Sequence, residues 1–74
     1  MIPYGNRSGK SGVTAYQCDT GSITVKFING DTYLYTVASA GAVNINKMQL
    51  LARQGEGLST YISTTVKNKY ERKL

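Results

Sequence analysis

The sequence has no histidine, no tryptophan, one cysteine, one proline and four acidic residues among 74. Each scarcity removes a class of chemistry. Without histidine, neither a Ser-His-Asp triad nor a His-containing zinc site can be built. Cys18 alone cannot close an intrachain disulfide or form a thiolate metal cage, and one free thiol suits a reducing, cytoplasmic interior. The acids are Asp19, Asp31, Glu56 and Glu71, the first three in turn-like contexts, and no nucleophile or base accompanies them. No catalytic residues, cofactor or metal are therefore assigned, and the chain is not expected to be an enzyme. No run approaches the roughly 18 apolar residues of a membrane helix. The opening Met1-Ile2-Pro3-Tyr4-Gly5 lacks the charged and then apolar pattern of a secretory leader. We expect no membrane association.

What is present is a short basic chain, 41% hydrophobic with a net charge of +5. That composition is globular, and the length allows one domain whose core buries only about 60% of the unfolded chain's surface. Residues 1–12 hold Gly5, Ser8, Gly9, Ser11 and Gly12 with no period, which predicts a flexible arm carrying Arg7 and Lys10. From Val13 a single domain begins. Val13-Thr14-Ala15-Tyr16-Gln17-Cys18 is β-prone and ends at the turn signal Asp19-Thr20-Gly21. Ile23, Val25 and Phe27 then alternate with polar residues, as Tyr33, Tyr35 and Val37 do after Asn29-Gly30.

The register of that hairpin follows from burial. A two-residue Asn29-Gly30 loop pairs Val25 with Leu34. A three-residue loop, Ile28-Asn29-Gly30, pairs Val25 with Tyr33 and Ile23 with Tyr35, which gathers four large side chains on one face. A one-residue slip would turn all of them over, so the three-residue loop is favoured, with Gly30 left-handed.

After Val37 the period lengthens. Ser39 can cap a helix on which Ile45, Met48, Leu51 and Ala52 share one face, with Arg53 in the last turn and Gly55 as the stop. Leu58, Tyr61, Ile62, Thr65 and Val66 fit a second helix. Leu58, Ile62 and Val66 also fit a strand, but the helical stripe is fuller and runs on towards Tyr70, so helix is favoured.

Three features invite functional readings. Ser8-Gly9-Lys10-Ser11 resembles part of a phosphate loop, but Tyr4 stands where that motif needs its first glycine and no strand precedes it. Six tyrosines and one phenylalanine suit core packing, and aromatics beside basic residues also stack nucleic-acid bases; Tyr16, Tyr61 and Tyr70 are the candidates. The clearest charge feature is Lys67-Asn68-Lys69-Tyr70-Glu71-Arg72-Lys73-Leu74. Its four cations face one acid, whereas residues 13–66 are neutral, Lys26, Lys47 and Arg53 balancing Asp19, Asp31 and Glu56.

The order of these segments resembles the KTSC domain, named for the C-terminal region of some lysyl-tRNA synthetases and found also as small free-standing bacterial proteins. The resemblance covers about residues 13–74. It is carried by Tyr16-Gln17-Cys18-Asp19, by Thr24-Val25-Lys26-Phe27, by the Gly30 turn with Tyr33-Leu34-Tyr35, and by Tyr61-Ile62, Val66, Lys69-Tyr70 and Arg72-Lys73-Leu74. The proline that usually opens the family's helix is replaced by Ala38-Ser39, and Ser63 stands where an asparagine is expected. The resemblance implies a strand meander followed by two helices, and a role in RNA binding by association with the synthetase.

The resulting expectation is an α+β domain, a small antiparallel β-meander of about three strands followed by two helices. Its expected function is RNA binding, with Lys67, Lys69, Arg72 and Lys73 on phosphates and Tyr61 and Tyr70 stacking on bases. The alternative is a protein–protein interaction module or homodimer without catalytic activity, because a short meander leaves its edges open.

Overall fold

The computed structural model describes residues 1–7, 9 and 11–74. It is a small α+β domain built on a five-stranded antiparallel sheet. The strands are β1 (Ile2–Pro3), β2 (Val13–Asp19), β3 (Ser22–Phe27), β4 (Thr32–Thr36) and β5 (Arg72–Lys73), neighbours in that order. Between β4 and β5 run α1 (Val37–Ala40), α2 (Ala42–Gln54), α3 (Leu58–Tyr61) and a π-helix (Ile62–Val66).

The three inner strands follow the alternation of the sequence. Val25 pairs with Tyr33 and Ile23 with Tyr35, the register that burial favours. The connection is the three-residue loop: Gly30 N donates to Phe27 O at 2.9 Å, Phe27 N donates to Asp31 O at 2.8 Å, and Gly30 has φ 91°. Across β2, Tyr16 pairs with Val25 and Cys18 with Ile23, so these side chains share the core face. A bulge between Val13 and Ala15 adds one residue, which lets Val13 and Tyr16, three positions apart, both turn inward.

The two outer strands correct the expectation of about three. Each is two residues long, too short to show a period, and only the partner strand reveals it. Residues 1–12 were expected to form a loose arm, but the described part of its first half is built in. Ile2 pairs with Tyr16, Tyr4 N donates to Thr14 O at 2.9 Å, and Arg7 N donates to Gly55 O at 2.7 Å. Tyr4 itself is buried with its ring edge-on to Tyr16. Burial of the Tyr4 ring and the backbone hydrogen bonds of Tyr4 and Arg7 together offset the cost of ordering this segment. The Ser8-Gly9-Lys10-Ser11 stretch lies partly outside the described residues.

The helical half also departs in detail. Thr36, not Ser39, is the cap: its side chain accepts from Ser39 N while Ser39 Oγ accepts from Thr36 N, a reciprocal capping box. Gly41, at φ 92°, separates α1 from α2. Ile45, Met48 and Ala52 are buried as their spacing predicts, and Gly55 ends α2 in the left-handed conformation.

The segment after Gly57 is helical, in two forms. Leu58, Ile62 and Val66 are all buried at a strict spacing of four. On a helix of 3.6 residues per turn such a row drifts off the face; the wider π-helix holds Ile62 and Val66 against the core. Thr65, counted in the expected stripe, is exposed, and the helix stops at Val66 instead of running on to Tyr70.

Candidate nucleic-acid interface

The basic C-terminal segment is part of the sheet. Its course is set by a reverse turn, in which Lys69 N donates to Val66 O at 2.8 Å. Lys67 sits at the first central position with φ 46° and ψ −114°, close to the type II′ geometry that normally takes glycine. The chain then lies along β4: Tyr33 pairs with Lys73 and Leu34 with Arg72, while Glu71 N donates to Leu34 O and Leu74 N to Thr32 O. Four of the chain's nine Lys and Arg residues thus stand on a turn and edge strand fixed by backbone hydrogen bonds.

The individual side chains differ. Lys67, Lys69 and Arg72 are exposed. Lys73 Nζ lies 3.1 Å from Asp31 Oδ1 and 5.9 Å from the centroid of the Tyr33 ring. Hydrogen bonding to Asp31 raises the Lys73 pKa above its ordinary value. The segment's one acid, Glu71, accepts a hydrogen bond from Thr36 Oγ1 at 2.9 Å.

The two tyrosines expected to stack on bases are engaged in the fold. Tyr61 is half-buried and donates its hydroxyl proton to Asn44 Oδ1 at 2.7 Å, which ties α3 to α2. Tyr70 packs at 4.6 Å, centroid to centroid, on Tyr33 and edge-on to Tyr35. Tyr16, the third candidate, is buried. All seven aromatic rings belong to the core or pack against it, so the opposite sheet face carries none of them. That arrangement excludes stacking across the open face of the sheet. The basic edge is a charged surface with half-buried Tyr33 and Tyr70 beneath it.

Sequence reasoning missed one feature beside this edge. An open cleft of about 310 Å³ lies at the mouth of the β3–β4 hairpin, lined by Gly12, Phe27, Ile28, Asn29, Asp31 and Tyr33. Phe27 and Tyr33 meet edge-to-face at 5.7 Å. The three-residue loop was the available signal, since it places Ile28 at the tip, where it is 77% exposed.

Deeper titratable groups are shifted by burial. Tyr35, only 2% exposed, has its phenol pushed up to about 12, mainly by desolvation and then by Tyr33 and Tyr70. Cys18 is half-buried and its thiol is raised, burial outweighing the opposing influence of Arg53, so it is not an activated nucleophile. Among the described residues, no group of three or more Cys, Asp or Glu converges, and no helix is long and apolar enough to cross a membrane.

No protein-family model, no curated protein and no solved structure matches this chain.

Proposed function

We propose that this protein is a small cytoplasmic RNA-binding module that holds phosphates through Lys67, Lys69, Arg72 and Lys73. The observation that carries the reading is the placement of these residues. A loose tail must be ordered on binding, whereas a turn and edge strand hydrogen-bonded to β4 present their charges already spaced. Residues 13–66 are formally neutral, and three of the five net positive charges lie on this one edge, which draws an anion there. The resemblance to the KTSC domain belongs to the same reading, because the residues that carry it include this edge. Phosphate contacts are expected to dominate, since Tyr61 is committed to Asn44 and Tyr70 to Tyr33.

A homodimer joined through strand edges is the weaker alternative. β1 carries Pro3 and β5 carries Arg72 and Lys73, and proline and cations on short edge strands discourage further pairing.

Titration of single-stranded RNA at two or more salt concentrations tests the proposal. Binding should weaken with salt by about 0.7 log units per tenfold salt for each phosphate engaged, giving a slope of roughly −2 to −3. Substituting Lys67, Lys69 and Arg72 together by Gln should abolish it and leave the fold intact, because all three are exposed. Salt-independent binding, or binding unchanged in that variant, would overturn the reading.

A further inference from the structure

We propose that the cleft at the mouth of the β3–β4 hairpin is a subsite for one unstacked nucleobase, which rests on the RNA-binding reading and extends it from phosphates to bases. The walls are suited to a flat ring. Phe27 and Tyr33 both line the cleft and are half-buried; Tyr70 and Lys73 already pack on Tyr33, so Phe27 is the ring offered to a base, and base–aromatic stacking tolerates any base. The rim supplies acceptor oxygens suited to exocyclic amines. Asp31 is held in place there: Asn29 Nδ2 donates to Asp31 Oδ2 at 3.1 Å and Asp31 N donates to Asn29 Oδ1 at 3.0 Å.

Two observations join this cleft to the basic edge. Lys73 bridges them, its Nζ 3.1 Å from Asp31 and above the Tyr33 ring, so a strand lying along β5 brings a base to the cleft mouth. The pairing also neutralises Asp31, which would otherwise repel the adjoining phosphates. Gly12 keeps the cleft open. A Cβ at position 12 would lie 3.9 Å from Phe27 Cδ1 and 3.9 Å from Ser59 Oγ, in ordinary contact, and the backbone there needs no positive φ. A side chain at position 12 is therefore compatible with the backbone but adds bulk to the cleft wall.

The test uses adenosine monophosphate and ribose 5-phosphate, added separately to the full chain and followed by amide NMR. Adenosine monophosphate should shift the amides of Gly12, Ile28, Asn29 and Asp31 saturably, and ribose 5-phosphate should not. Gly12→Val should remove that response with the rest of the spectrum unchanged; Ile28→Ser, at an exposed tip, should weaken it without touching the core. An RNA with one abasic position at the subsite should lose about 5- to 150-fold in affinity. Equal shifts with ribose 5-phosphate, no shifts with adenosine monophosphate, or an unaltered response in Gly12→Val would overturn the subsite. Salt-dependent RNA binding without a cleft response would remove the subsite and keep the basic edge. A cleft response without RNA binding would do the reverse.

Discussion

The phenol oxygen of Tyr4 accepts a hydrogen bond from the backbone N–H of Leu58 at 3.3 Å, across 54 positions of sequence. Leu58 opens α3, where first-turn N–H groups have no helical acceptor and the capping residue, Gly57, has no side chain to offer. A residue near the start of the chain therefore caps its third helix. Tyr4→Phe keeps the ring against Tyr16 and leaves a buried donor unpaired. The expected loss is about 1–3 kcal/mol, read as a lower urea midpoint at unchanged slope. An unshifted midpoint would show that this contact contributes nothing.

Lys67 occupies backbone that favours glycine, with φ 46° and ψ −114°. Such strain costs on the order of 1–3 kcal/mol in a non-glycine residue. Lys67→Gly should raise stability by part of that amount, reduced by the greater chain entropy of unfolded glycine. The same change should weaken RNA binding and flatten the salt slope by about 0.7, the value of one phosphate contact on a single strand. Higher stability with unaltered binding would remove Lys67 from the interface.

Tyr35 ties stability to high pH. Its folded-state pKa is pushed up to about 12 from an ordinary value of 10.0. A raised pKa means that the unfolded chain releases this proton first. The contribution is complete below pH 10 and is lost as pH climbs towards 12. Tyrosinate absorbance should show a late-titrating component, and Tyr35→Phe should remove it. A late component that survives in Tyr35→Phe, or none in the native chain, would contradict this assignment.

Asp31 restrains Lys73, so Asp31→Asn should strengthen RNA binding at low salt and steepen the salt slope by about 0.7. Stability should barely move, since the Lys73 and Asp31 side chains are 55% and 35% exposed. Weaker binding in this variant would mean that the contact of Asp31 with a base outweighs its restraint of Lys73.

Several elements were legible because their signal is local. Ile23, Val25, Tyr33 and Tyr35 alternate, and only one hairpin register puts all four on the core face; the structure has that register, with Tyr33 half-buried at the edge. Ile45, Met48 and Ala52 keep helical spacing, and Gly55 ends their helix. Other elements had no local signal. Ile2–Pro3 and Arg72–Lys73 are strands only because β2 and β4 offer them unpaired edges. Tyr61 and Tyr70 could be named as aromatics beside cations, but only Asn44 and Tyr33 reveal that they are already occupied. The cleft was hidden for the same reason, since Gly12 and Tyr33 meet only when β2, β3 and β4 assemble.

By itself, then, the absence of histidine and the single cysteine excluded a histidine-based triad, a His-containing zinc site and an intrachain disulfide, and periodicity determined the central hairpin and α2. Both depend on residue type and near-neighbour spacing, which a chain carries unfolded. Tertiary structure decided the rest: that Tyr4 belongs to the core, that the helix after Gly57 widens to keep Ile62 and Val66 buried, and that the basic end is a turn and a short edge strand. Each of these rests on hydrogen bonds and apolar contacts between residues far apart in sequence, whose energies exist only once the sheet has formed.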